Sequence, residues 1–244
     1  MFDQNRDLFE GLGCVSDYIC NFALKPDATQ FIDASWRVPF GLKGALKEEL
    51  AELENLGIIC KVKEPTEWAS GKIRLCIDPH KLNQAIMRPH YQFPTLDEIK
   101  ADLSGAKFFT TNEGFWMLKL NEASSMFCTF ITPFGRYQFT RLPFDINAEP
   151  EIFHREMMKL FGDIEGVKIM MDDFLIYGKT VDEHNERLQK VLDHTRQINL
   201  KFNKENSVFC QSSVKYLGHI FDHNVVKKYS LVMVRSASAR GWGN

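Results

Sequence analysis

The 244-residue sequence contains no apolar run of the roughly 18 residues that a membrane-spanning helix requires. Its first ten residues are charged and lack the apolar core of a signal peptide, so a cytoplasmic or nuclear protein is expected. Six cysteines, at positions 14, 20, 60, 76, 128 and 210, form no Cys-x-x-Cys pair, which excludes a zinc ribbon and a small disulfide framework. Cys76 and Cys128 lie in apolar runs, where free cysteine behaves as a small hydrophobe, and a reducing compartment is the natural setting. His219 and His223 follow Gly218 in a β-type run, which favours a strand end over a helical metal pair.

Charge of one sign is also lacking. The 30 basic and 32 acidic residues leave a formal net charge of −2, which argues against a protein that works by phosphate attraction alone. The total hides a gradient. Residues 1–70 hold 7 basic and 12 acidic side chains (−5), residues 71–166 hold 11 and 12 (−1), and residues 167–244 hold 12 and 8 (+4). With 44% hydrophobic residues, whole-chain disorder is excluded.

Periodicity supplies the elements. Residues 1–35 are polar and aperiodic, as an arm or linker would be. Leu42, Leu46, Leu50, Leu53 and Leu56 form a helical stripe closed by Gly57. Strands are predicted at 58–62 and 72–77, with a loop at 65–71. Thr95-Leu-Asp-Glu98 and Thr180-Val-Asp-Glu183 are capping boxes that open helices. Residues 127–131 and 137–142 flank Thr132-Pro-Phe-Gly-Arg136 as a hairpin. Asn147 and Pro150 start a helix whose apolar face is Ile152, Phe153, Met157, Leu160 and Phe161. Residues 214–221 read as a last strand, and the tail from 225 has no period. Helices mixed with antiparallel hairpins indicate an α+β protein.

The most informative stretch is Ile169-Met-Met-Asp-Asp-Phe-Leu-Ile176, which places Asp172 and Asp173 at the tip of an apolar hairpin. Aspartate is a good turn residue, and alone the pair reads as a solvated turn. Adjacent carboxylates on a rigid hairpin also suit divalent metals, because magnesium takes oxygen ligands and phosphoryl transfer uses two such ions.

The neighbouring segments decide between these readings. Leu8-Phe-Glu-Gly-Leu-Gly13, Trp36-Arg-Val-Pro39 and Glu64-Pro-Thr-Glu-Trp68 precede Gly71-Lys-Ile-Arg-Leu-Cys-Ile-Asp-Pro79 and Phe93-Pro-Thr95. Thr132-Pro-Phe-Gly-Arg-Tyr137, Arg141-Leu-Pro-Phe144, Pro150-Glu-Ile-Phe153, Tyr177-Gly178 and Tyr216-Leu-Gly-His-Ile220 follow. In this order they resemble the reverse transcriptase domain of gypsy-type long-terminal-repeat retrotransposon Pol polyproteins, from about Leu8 to Phe221. The resemblance implies a right-hand polymerase fold. Its fingers would be residues 35–90 and 121–148, and its palm, with an antiparallel sheet, residues 91–120 and 149–222. Residues 1–34 would be an arm and 223–244 an aberrant tail.

The resemblance further implies RNA-directed DNA synthesis on an RNA/DNA template-primer with deoxynucleotides, assisted by two Mg2+ ions on Asp172 and Asp173. Arg74 would contact the nucleotide triphosphate, as guanidinium geometry allows. Phe115 would lie under the sugar, Phe144 would line the nucleotide site, and Tyr216, Leu217 and Gly218 would support the primer end.

Departures from the family pattern are concentrated at that site. Phe109-Thr-Thr-Asn-Glu-Gly-Phe-Trp116 lacks the Leu-Asp-Ala step that carries the third carboxylate, a deletion of about three residues. Glu113 is expected to be displaced by several ångströms from the position it would need to substitute. A fingers strand is missing between Ser70 and Gly71. Asp145 stands where the family has Gly, Glu149 where it has a small residue, and Asn206 where it often has Lys. The remaining 23 residues after Phe221 hold no thumb or ribonuclease H domain. Little or no polymerase activity is expected, and the alternative is a non-catalytic nucleic-acid-binding remnant.

Overall fold

The computed structural model describes residues 3–16, 18–29, 37–62, 80–89, 91–113, 117–222 and 226–228. A 3-10 segment (Asp3–Leu8) leads to strand β1 (Ile19–Cys20), a 3-10 turn (Phe40–Leu42), helix α1 (Lys43–Asn55) and strand β2 (Ile59–Val62). Helices α2 (His80–Ala85) and α3 (Leu96–Asp102) precede strands β3 (Phe108–Glu113) and β4 (Lys119–Leu120). Helix α4 (Glu122–Phe127) then enters the hairpin of β5 (Thr129–Thr132) and β6 (Gly135–Phe139). Helix α5 (Glu149–Phe161), strands β7 (Val167–Met170) and β8 (Asp173–Gly178), and helix α6 (Val181–Gln197) follow. Strands β9 (Val208–Gln211), β10 (Ser213–Tyr216), β11 (His219–Asp222) and β12 (Val226–Lys228) come last.

The central sheet has the order β7-β8-β3-β9, and all its neighbours are antiparallel. Successive side chains of a strand face opposite sides, so β8 serves two cores. Phe174 and Ile176 pack with Phe161 of α5 and with Leu188, Val191 and Leu192 of α6. Leu175 joins Phe109 of β3, Ile99 of α3 and Val214, Tyr216 and Phe221 of the β10–β11 hairpin on the other side. Phe174 and Phe161 are fully buried, with rings edge-to-face at 5.1 Å. Truncating either to alanine costs about 3–5 kcal/mol. A second sheet, β2-β6-β5, is antiparallel, and β1 pairs with β4 in parallel.

Both capping boxes form caps. Thr95 accepts a hydrogen bond from the Glu98 amide while Glu98 accepts from the Thr95 amide. Thr180 accepts from the Glu183 amide, but the Glu183 carboxylate reaches one residue further, to the amide of Lys179.

Several expectations need correction. The segment read as an arm packs into the main core through Leu8, Val15, Cys20 and Phe22, because these apolar residues are spaced too irregularly to show a period. Helices α2 and α4 were not expected. Phe127 ends α4 rather than opening a strand, since Asn121 caps that helix by accepting from the Ser124 amide. The single strand expected at 214–221 is a hairpin, turned at Leu217 and Gly218, whose φ values are 50° and 68°. The region after 225 is not without structure, because Val226–Lys228 pairs with β11. The strand expected at 72–77 and the loop at 65–71 lie outside the described residues.

Candidate active site

The β7–β8 hairpin sets out the carboxylates. Met170 pairs with Asp173, so Asp173 belongs to the strand and the two-residue turn is Met171-Asp172. Met171 has φ 55°, the positive value that a tight hairpin turn demands at its first central position. Strand alternation places Asp173 on the face of Leu175, toward the β10–β11 hairpin. There Tyr216, 3% exposed, directs its hydroxyl at the Asp173 carbonyl, 3.4 Å away. Burial, and then the charge of Asp173, push the Tyr216 phenol up, so it stays protonated. Leu217 packs against the same cluster, and Gly218 completes the turn; positive φ at both central residues is the type I′ pattern.

Asp172 faces the start of α5. With Glu149, Phe144, Phe153, Met117, Leu118 and Leu142 it lines a cleft of about 10 Å³, room for roughly one water molecule. Burial raises the Asp172 carboxyl above the usual aspartate range. Glu149 is pushed up to about 7, first by burial and then by the charges of Asp172, Glu151 and Asp145. The loop before α5 is held from α2: Asn83 donates to the Asp145 carbonyl at 2.9 Å and accepts from the Asn147 amide at 2.8 Å. Asp145 adopts φ 68°, the left-handed conformation that glycine takes without strain. That bend and that clamp aim Glu149 at Asp172.

Strand β3 runs unbroken beside β8 as far as Glu113, which pairs with Asp173. Directly opposed residues of an antiparallel pair lie about 4.5–5.5 Å apart at Cα. The backbone of Glu113 thus lies beside the carboxylate hairpin.

The structure thus places Phe144 in the cleft of Asp172, and the Tyr216 turn beside the backbone of Asp173. Arg74 and Phe115 lie outside the described residues. Among the described residues, no three His, Cys, Asp or Glu side chains are grouped to hold a metal. The carboxylate oxygens of Asp172 and Asp173 are the donor type that magnesium takes. Sequence reasoning placed Glu149 near the site but missed that it faces Asp172, a relation created by the Asn83 clamp rather than by any local pattern.

No helix among the described residues is long and apolar enough to cross a membrane. Relatives include the Pol polyproteins of three Drosophila melanogaster transposons. The chain is 32% identical to that of transposon 412 over 170 residues, 66% of this chain and 14% of the relative. It is 31% identical to that of transposon gypsy over 205 residues, 77% and 20%. It is 28% identical to that of transposon opus over 210 residues, 79% and 21%. The chain therefore spans about a fifth or less of these relatives. Foamy viral protease-reverse transcriptase in complex with an RNA/DNA hybrid superposes with a TM-score of 0.79 at 18% identity, covering 94% of this chain and 33% of that one. The complex of that enzyme with double-stranded DNA gives 0.75 at 19%, covering 94% and 51%. The α+β architecture with antiparallel sheets is that of a polymerase. Residues 62–221, well over half of the sequence, match the reverse transcriptase (RNA-dependent DNA polymerase) family, and the chain belongs to it.

Proposed function

We propose that this chain is an internally deleted reverse transcriptase domain of a gypsy-type retrotransposon Pol polyprotein. Its nucleotidyl-transfer site retains the metal-binding carboxylates but is obstructed. The observation that carries this reading is the approach of Glu149 to Asp172 across one narrow cleft, where burial and then the charge of Asp172 raise the Glu149 carboxyl. The fingers would comprise residues 35–90 and 121–148 and the palm 91–120 and 149–222.

Asp172 and Asp173 would hold Mg2+. The bound ions would stabilise charge on the attacking primer oxygen and on the leaving pyrophosphate. Arg74 would pair with the triphosphate, and Phe115 would exclude a 2′-hydroxyl. Phe144 would flank the nucleotide, and the Tyr216-Leu217-Gly218 turn would support the primer end. An ionised Glu149 beside Asp172 repels phosphate, and a protonated one still fills the space.

The test is primer extension on an RNA template with deoxynucleotides and Mg2+. The chain is expected to extend at trace level, Glu149→Ala to extend at least tenfold faster, and Asp172→Ala not at all. Brisk extension by the unaltered chain that Asp172→Ala abolishes would overturn the obstructed reading.

A further inference from the structure

A groove between residues 91–93 and α5 takes no part in the proposed polymerase site. On one face of α5, Glu151 and His154 stand three residues apart, hence side by side. They are 5% and 1% exposed, and each carries a buried polar atom without a hydrogen-bond partner, Glu151 Oε2 and His154 Nδ1. The other Glu151 oxygen is held by Arg88 Nε. Burial lowers the His154 pKa, which favours the neutral ring, and in the tautomer protonated at Nε2 its Nδ1 is an acceptor. Orphaned buried acceptors cost about 1–3 kcal/mol each, and in native folds nearly all such atoms find a partner.

The surroundings define what that partner must be. Tyr91 and Phe93 pack on the His154 ring, with centroids at 5.2 and 4.9 Å. Two lobes of about 350 and 610 Å³ meet at residues 91–93, one reaching His154 and the other Glu151, within the size range of small-molecule sites. The lining cations are already paired, Arg88 with Glu151 and Lys168 with Asp102. A phosphate therefore finds no unpaired cation among the described lining residues. Two unpartnered polar atoms on neighbouring turns of α5, beside aromatic rings, suit a flat neutral ring that carries N–H donors.

We propose that this groove binds an uncharged aminopurine nucleoside of the adenosine type, separate from the polymerase site and independent of its reading. The ring stacks against Tyr91 and Phe93, and the exocyclic amine donates to His154 Nδ1 and Glu151 Oε2. Residues 91–93, which belong to no helix or strand, lift from the His154 ring to admit it.

Calorimetric titration of the full chain with adenosine tests this. One saturable site is expected, with purine riboside, which lacks the amine, at least tenfold weaker and adenosine monophosphate no tighter. His154→Phe keeps the ring and removes the orphaned acceptor. It is expected to weaken adenosine at least tenfold while the thermal midpoint stays level or rises, so the loss cannot be ascribed to unfolding. Asp172→Ala is expected to leave binding unchanged. The proposal is overturned by an absence of saturable binding, by equal affinity for purine riboside, or by full affinity in His154→Phe. Loss of binding in Asp172→Ala, or binding of oligoadenylate without adenosine, overturns it as well.

Discussion

Glu149 and Asp172 face each other across one narrow cleft, and the pair is held from opposite sides of the fold, by the first turn of α5 and by the tip of the β7–β8 hairpin. Because burial and the neighbouring carboxylates raise Glu149 from an ordinary 4.5 to about 7, the folded state holds its proton more tightly than the unfolded chain does. Its stabilising contribution is complete below about pH 4.5 and is lost as pH rises through about 7. Glu149→Gln is therefore expected to match the parent at pH 4.5 and to exceed it at pH 8 by on the order of 3 kcal/mol. Urea unfolding of both proteins across that range checks the sign. A gap that shrank with rising pH would contradict the assignment.

Asp145 sits in left-handed backbone four residues ahead of Glu149 and contributes to raising it. Glycine is at ease in that conformation, and a side chain there costs about 1 kcal/mol. Asp145→Gly is expected to stabilise the fold by about that amount and to bring the pKa of Glu149 down. Carbon-13 NMR of the glutamate carboxyls reads the second effect.

Much of this architecture was legible along the chain, where local chemistry decides the structure. Thr95 and Thr180 announce α3 and α6, and Asp172-Asp173 within an apolar run announces the β7–β8 tip. What was not legible depends on short elements or long-range packing. Helices α2 and α4 have six residues each, too few to show a period. The Leu217-Gly218 turn interrupts an apolar run that reads as continuous. The approach of Glu149 to Asp172 depends on Asn83, more than sixty residues away, clamping the 145–147 loop.

Thr110 ties three elements together. Its hydroxyl accepts from the Cys210 amide at 3.1 Å and lies 2.9 Å from His184 Nε2, while His184 Nδ1 lies 3.2 Å from Asn185 Oδ1. Donation from Thr110 to Nε2 and from Nδ1–H to Asn185 satisfies every group with a neutral ring, in keeping with the pKa of His184, which burial lowers. Thr110→Val strands both the Cys210 amide and the His184 nitrogen and is expected to cost about 2 kcal/mol. A histidine held neutral contributes stability that is present above its unfolded pKa and is lost on acidification. In a Glu149→Gln background, which removes the opposing titration, stability is expected to fall as pH drops below about 6.5. A flat profile there would exclude His184 and His154 as neutral buried groups.

Asn112 of β3 is a buried amide without polar partners. It is 1% exposed, lies opposite Phe174, and neither Nδ2 nor Oδ1 has a hydrogen-bond partner. Two desolvated amide groups without partners cost about 1–3 kcal/mol in total on the scale of core substitutions, and an apolar side chain of the same branching avoids that cost, less what its greater volume costs in packing. Asn112→Leu is therefore expected to stabilise the chain by about 1–3 kcal/mol, read as a higher urea midpoint at unchanged slope. Asn112→Ala separates the two contributions: it removes the orphaned amide but leaves a cavity, so it should gain less than leucine. If leucine destabilises while alanine does not, the space around residue 112 is too small for a branched side chain and the amide is not the source of the cost.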